Sequence, residues 1–181
     1  VNGEIYNFHS LKEELESSGH VFKSQSDSET VIHAYEEYGE NFVNKLEGMF
    51  AFAIWDTRKN KLILARDRIG IKPLYYVHNG LRLLFASEIK ALLEDKDFKR
   101  ELNEDGFFQY LAFQCIITPE TMFKGIYKLE PGSMLVFENN ALIQKRYWSL
   151  DQSKIRECTE DGVASGLVDA VKSHLVSDVP I

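Results

Sequence analysis

Cysteine is scarce: 181 residues contain only two, Cys115 and Cys158. They make neither a disulfide framework nor a metal-ligand spacing, in keeping with a reducing cytoplasm. Long apolar runs are also missing. None approaches the roughly 20 residues needed to span a bilayer, and no secretory signal opens the chain, so no membrane partner is expected. Positive charge is short, with 21 Lys and Arg against 28 Asp and Glu and a net charge of −7. Basic residues gather only in isolated pairs, Lys99-Arg100 and Lys145-Arg146. Phosphate neutralisation needs concentrated Lys and Arg, which excludes a general nucleic-acid binder. Repeats and low-complexity segments are lacking. The chain opens at Val1 inside a motif, without an initiator methionine, and closes at Ser177-Asp178-Val179-Pro180-Ile181 without a polar tail. The expectation is a fragment of a longer protein.

What is present suffices for a core. Hydrophobic residues make up 44% and aromatics 12%, a soluble globular composition with room for one substantial domain and the start of another.

Apolar spacing at Phe8, Leu11 and Leu15 predicts a helix, with Ser10 as its N-cap, Glu13 completing a capping box and Gly19 at its end. Residues 21–24 read as a short strand. Ser26-Asp27-Ser28-Glu29 opens a second helix that stops near Gly39. From Gly48 the period becomes alternating. Phe50, Phe52 and Ile54 share one face, while Met49, Ala51, Ala53 and Trp55 share the other, so a strand covered on both sides is expected. Residues 61–66 return that strand. Asn79-Gly80 turns another hairpin, spanning 74–86. Ser87 is expected to cap a short helix, and Asn103 a helix carrying Phe107, Phe108, Tyr110, Leu111 and Phe113. Its aromatics read as core, and Cys115 beyond it as a small buried hydrophobe. Further strands follow around 127–129, 133–138 and 142–148. A final helix from Thr159 carries Val163, Leu167, Val168, Val171 and Leu175 on its apolar side. Strand runs interspersed with helices favour a layered α/β or α+β domain, and short hairpins favour antiparallel pairing.

The opening Val1-Asn2-Gly3-Glu4-Ile5-Tyr6-Asn7-Phe8 carries the chemistry. A side-chain amide at Asn2 and an unhindered backbone N–H at Gly3 can form a two-donor oxyanion hole. Asn-Gly is also an ordinary turn signal, and Asp27 an ordinary helix-start residue. Both alternatives stay open on these residues alone.

Asn2-Gly3-Glu4-Ile5-Tyr6-Asn7, followed by Ser26-Asp27-Ser28-Glu29, resembles the glutaminase domain of class II glutamine amidotransferases. Segments 48–56, 66–76 and 85–92 resemble the asparagine synthetase branch. The resemblance implies an N-terminal-nucleophile hydrolase fold, a four-layer αββα sandwich, over 1–150. Residues 151–181 would begin an α/β synthetase domain with its first helix. It further implies that Asn2 and Gly3 form the oxyanion hole, while Glu4 and Asp27 hold the ammonium group of L-glutamine by charge-assisted hydrogen bonds. Glu29 would be supporting structure. Arg66, Asp67, Gly70 and Pro73 would be structural or interdomain rather than a phosphate site.

The family's nucleophile is a cysteine at the mature N-terminus, and neither Cys115 nor Cys158 matches it. A family arginine that holds the glutamine carboxylate would also lie upstream. This fragment is therefore expected to be inactive alone.

Segments 108–126, 128–132 and 147–150 resemble the connection from glutaminase to synthetase, and the closing residues resemble the synthetase entry. The complete enzyme would be a glutamine-hydrolysing asparagine synthetase. It would use aspartate, ATP and Mg2+ in the missing domain, with a Ser-Gly-Gly-Leu-Asp-like loop expected after Ile181. The runners-up are a related amidotransferase with a polysaccharide or peptide-tailoring acceptor, and a nucleophile-less binding module. No cofactor is expected in this fragment. Its five histidines have no ligand-like spacing, so no metal is expected either. Homodimerisation stays open.

Overall fold

The computed structural model describes residues 1–151, 153 and 159–175, so the expectations for Cys158 and for 177–181 lie outside the described residues. The chain divides into two compact units, one formed by 1–3 with 49–148, the other by 4–48 with the described part of 149–181. Its architecture is mixed α/β with antiparallel sheets.

In the first unit, β2 (Gly48–Asp56), β3 (Lys61–Arg66), β7 (Ser133–Glu138) and β8 (Ala141–Arg146) are successive neighbours in one sheet. Its β2 edge is lined by β1 (Asn2–Ile5), represented in this unit by Asn2 and Gly3. A second sheet has the order β5-β4-β6, from Leu83–Ala86, Tyr75–His78 and Tyr127–Lys128. Ala51, Leu64, Leu74, Leu129 and Leu135 form a buried cluster, against which Leu62, Tyr76, Leu83 and Leu142 pack. The two sheets thus share one apolar core, which removes these side chains from water at roughly 25 cal/mol per Å2.

The alternation of β2 is seen in its buried middle, where Phe50, Ala51 and Phe52 face both ways into protein. Cover on both sides does not reach the end of the strand, for Ala53 and Trp55 are exposed. The hairpin at Asn79-Gly80 forms as expected, pairing His78 with Leu83, and Asn79 Oδ1 accepts the N–H groups of Leu81 and Arg82.

Helix α3 (Ile89–Leu92) is not capped by Ser87. Its N-cap position is Glu88, without a side-chain bond, and the Ser87 hydroxyl is engaged elsewhere. Helix α4 (Glu104–Phe113) is capped by Asn103, which accepts the Gly106 N–H at 3.3 Å. Its aromatics are not core. Phe108, Leu111 and Phe113 are each more than 60% exposed, and only Gly106 is buried. Apolar residues surround this helix on more faces than its own chain covers; it is fastened at its N-terminal end, where Asn103 Nδ2 donates to Glu120 and to the Thr121 carbonyl. Cys115, just beyond it, is likewise exposed.

In the second unit, α1 (Phe8–Ser17) and α2 (Asp27–Tyr38) bury Phe8, Leu11, Leu15, Val31, Ala34 and Tyr35, joined by Ile5, Phe42, Val43 and Leu46. Ser10 does not cap α1. The helix begins earlier, at Phe8, and the Ser10 hydroxyl donates back to the Asn7 carbonyl. Asn7 holds the cap position, but its amide is spent on Lys45 O and Glu47 N. The C-terminal end is a Schellman arrangement: Gly19 N–H donates to Glu16 O and His20 N–H to Leu15 O.

Residues 21–24 form no strand. The N–H groups of Lys23 and Ser24 donate instead to the Glu29 carboxylate, both at 2.7 Å. Helix α5 (Glu160–His174) starts where expected, capped by Thr159, which accepts the Gly162 N–H, and its apolar side is exposed.

Candidate active site

Asn2 and Gly3 lie in a β-strand rather than a turn. Asn2 is exposed, and its Nδ2 donates to Ser87 Oγ at 3.2 Å. An amide nitrogen carries two hydrogens, so this bond orients the group and leaves the second for a ligand oxygen. Ser87 sits directly after β5, and the first unit contains both partners. Sequence reasoning assigned Ser87 to helix capping; only the fold across 85 residues shows its use at Asn2.

Gly3 adopts φ +141°, and a Cβ there would meet the Met49 carbonyl at 2.0 Å. The missing side chain is therefore required by the close approach of β2, whatever the ligand. Any substituent would push the strand off its neighbour.

In the second unit, Asp27 is the first residue of α2. Ser26 performs the capping, its hydroxyl accepting Ser28 N–H at 3.3 Å. The Asp27 carboxylate is thereby released from its own helix start. Its Oδ2 accepts the Ile5 N–H at 2.9 Å, and Oδ1 takes a long bond from Ser28 Oγ at 3.4 Å. Ile5 directly follows Glu4, so the fold brings Asp27 to the residue adjoining the other expected amine ligand. Glu4 itself is half-buried. A half-buried carboxylate such as that of Asp27 can accept a charge-assisted bond from an ammonium group.

Glu29 is structural, as expected. It accepts from the Ser24 hydroxyl and from Lys23 N–H, and these bonds, the hydroxyl first, hold its carboxyl down at about 2. It fastens the loop that leads into α2.

The segment after β3 is structural too. Arg66 is 3% exposed and donates to the carbonyls of Leu129 (2.6 Å), Lys72 (2.7 Å) and Gly70 (2.5 Å). Asp67, fully buried, accepts the N–H groups of Ile69, Ile71 and Lys72. Burial lowers the Arg66 pKa, the neighbouring Asp67 charge opposes this, and a guanidinium stays protonated regardless. Tyr147 donates to the Arg66 carbonyl at 2.7 Å, and burial pushes its phenol up. With three donors committed to main-chain carbonyls, this arginine is engaged in holding its own loop. Gly70, at φ +73°, leaves the space the guanidinium fills, since a Cβ would meet its Cζ at 2.8 Å.

The family model for the glutamine amidotransferase domain matches residues 1–148. The chain belongs to that family. Among curated relatives of this glutamine amidotransferase domain, asparagine synthetase [glutamine-hydrolyzing] 3 of Bacillus subtilis is 42% identical over 184 residues, covering 99% of this chain and 30% of the relative. A putative asparagine synthetase [glutamine-hydrolyzing] of Methanocaldococcus jannaschii is 34% identical, covering 99% and 36%. Amidase chry2 of Gibberella zeae is 37% identical, covering 100% and 27%. The glutamine phosphoribosylpyrophosphate amidotransferase structure from B. subtilis superposes with a TM-score of 0.56 at 25% identity, over 83% of this chain and 28% of that one. The amidotransferase chain thus spans about a third of the length of its curated relatives.

Proposed function

We propose that this chain is the glutamine-binding part of a glutamine-hydrolysing asparagine synthetase. The observation that carries the reading is the bond from Ile5 N–H to Asp27, which brings the head of α2 to the residue that follows Glu4. The family match over 1–148 and the 42% identity to a named asparagine synthetase support it.

In the proposed reaction, the family's cysteine thiolate attacks the carboxamide carbon of glutamine. The Asn2 amide and the Gly3 N–H take the oxyanion of the tetrahedral intermediate, and Glu4 with Asp27 holds the substrate ammonium. The cysteine's own α-amino group takes the thiol proton and passes it to the leaving nitrogen, so collapse expels ammonia and leaves a glutamyl thioester, which water hydrolyses to glutamate and the free thiol. No residue of this chain matches that cysteine, so the reaction is assigned to a protein that carries both.

Residues 1–150 are assigned to the glutaminase part in an αββα sandwich, and 151–181 to the start of a cytoplasmic enzyme's synthetase part. ATP and Mg2+ are assigned outside this chain. Its eleven glycines are scattered, the nearest two being Gly162 and Gly166, and none falls in the G-x-G-x-x-G or G-x-x-x-x-G-K spacing of a pyrophosphate loop. Ammonia would pass to aspartyl-adenylate in that other part.

The test is an assay of a protein containing this chain with aspartate, ATP and glutamine. Asparagine and AMP in equal amounts are expected. Glutaminase activity without asparagine would shift the reading to another acceptor.

A further inference from the structure

We propose that His20, His33 and Glu36 form a binding site for a zinc-class transition-metal ion, clamping the end of α1 to the middle of α2. Glutamine hydrolysis uses none of these residues. One nitrogen of each ring and one Glu36 oxygen all lie within 4.8 Å of one another. Nδ1 of His20 is 3.7 Å from Glu36 Oε2, and Nδ1 of His33 is 2.9 Å from the same oxygen. Zn–N and Zn–O bonds of about 2.0–2.1 Å in a tetrahedron set ligands about 3.3 Å apart. The two observed spacings bracket that value, and the two ring nitrogens lie within 4.8 Å of each other.

The backbone holds the set in place. His33 and Glu36 are three residues apart on α2 and therefore share a face. His20 lies three residues past the end of α1, its N–H fixed to the Leu15 carbonyl at 3.1 Å. Carboxylates stand behind both rings on the opposite nitrogen: His20 Nε2 is 3.0 Å from Glu37 Oε2, and His33 Nε2 is 3.5 Å from Glu29 Oε1. Metal-bound imidazoles carry this support, which fixes the tautomer and raises ligand basicity. The rings sit 5.0 Å apart, with Phe22 edge-on to His33 at 4.6 Å. Both histidine side chains are more than 80% covered, while Glu36 is 53% exposed and leaves the ion a path and a position for water.

Three carboxylates around two imidazoles concentrate negative charge that a divalent cation offsets. Two imidazoles and one carboxylate suit Zn2+, Ni2+ or Cu2+ rather than the all-oxygen preference of Mg2+ and Ca2+.

The experiment uses the untagged 181-residue chain after chelator treatment, titrated with ZnCl2 by calorimetry and with CoCl2 by visible absorption. One Zn2+ per chain, a rise in Tm, and the d–d bands of four-coordinate Co2+ are expected. His20→Gln and His33→Gln should each weaken Zn2+ binding at least about 10-fold. Glu37→Gln, which touches only the support, should weaken it about 10-fold with stoichiometry unchanged. Circular dichroism checks each fold, and the half-exposed Glu36→Gln replaces either histidine variant that fails it. No stoichiometric Zn2+, binding unaltered in the ligand variants, or an equal response to MgCl2 would overturn the proposal.

Discussion

Asp27 Oδ2 accepts the backbone N–H of Ile5 at 2.9 Å, tying the start of α2 to the residue after Glu4. The bond separates two roles of one carboxylate, structural and substrate-binding. Asp27→Asn keeps an oxygen for Ile5 and loses the charge. It should leave stability within about 1 kcal/mol and raise the glutamine KM about 10- to 100-fold, the scale of a charged hydrogen bond. Asp27→Ala also orphans the N–H of fully buried Ile5, and urea unfolding should show a further loss of about 1–3 kcal/mol.

Ser87 orients the Asn2 amide through the 3.2 Å bond to its hydroxyl. In a protein that pairs this chain with the family's cysteine, Ser87→Ala should lower kcat with KM little changed, by less than removal of the amide itself. Ser87→Thr, which restores a hydroxyl, should recover most of the loss. A purely structural serine would instead change the unfolding midpoint and leave kcat alone.

Arg66 satisfies three main-chain carbonyls from a 3% exposed position. Arg66→Met leaves them without that donor and Asp67 without its neighbouring charge. Chemical unfolding should show a loss of about 3–5 kcal/mol. Arg66→Lys should rescue little, since one ammonium cannot reproduce the planar fork.

Glu29 gives the chain an acid-sensitive element. Its folded-state carboxyl is held at about 2, below an ordinary 4.5, by Ser24 and Lys23. A depressed carboxyl contributes stability above about pH 4.5 and loses it as pH falls towards 2. Unfolding curves at pH 6 and pH 3 should therefore converge for the parent chain and Glu29→Gln as acid is added. A difference as large at pH 3 as at pH 6 would assign the effect of Glu29 to something other than its charge.

Local devices were legible in the sequence. Gly19 and Gly39 end α1 and α2, Asn103 and Thr159 start their helices, and the alternation in 50–52 marks a doubly covered strand, because each depends on neighbours within a few positions. Features made by tertiary pairing were not. Ser87 looks like a cap until Asn2 arrives beside it, and the aromatics of α4 look like core because composition cannot say whether a partner face exists. His20 and His33 have no ligand-like spacing along the chain, and their meeting depends on α1 doubling back onto α2. The candidate amine ligands were readable only through family resemblance. What the structure adds is the Asp27–Ile5 bond and the reason Gly3 bears no side chain.

The most direct test measures glutaminase kinetics of Asn2→Ala and Asp27→Asn in a protein carrying this chain together with the family's cysteine. Asn2→Ala should reduce kcat about 100- to 1,000-fold, the cost of one oxyanion donor, with KM nearly unchanged. Asp27→Asn should act mainly on KM. If Asn2→Ala raised KM and spared kcat, or if neither variant altered glutamine hydrolysis, the assignment of this stretch as the glutamine site would be contradicted.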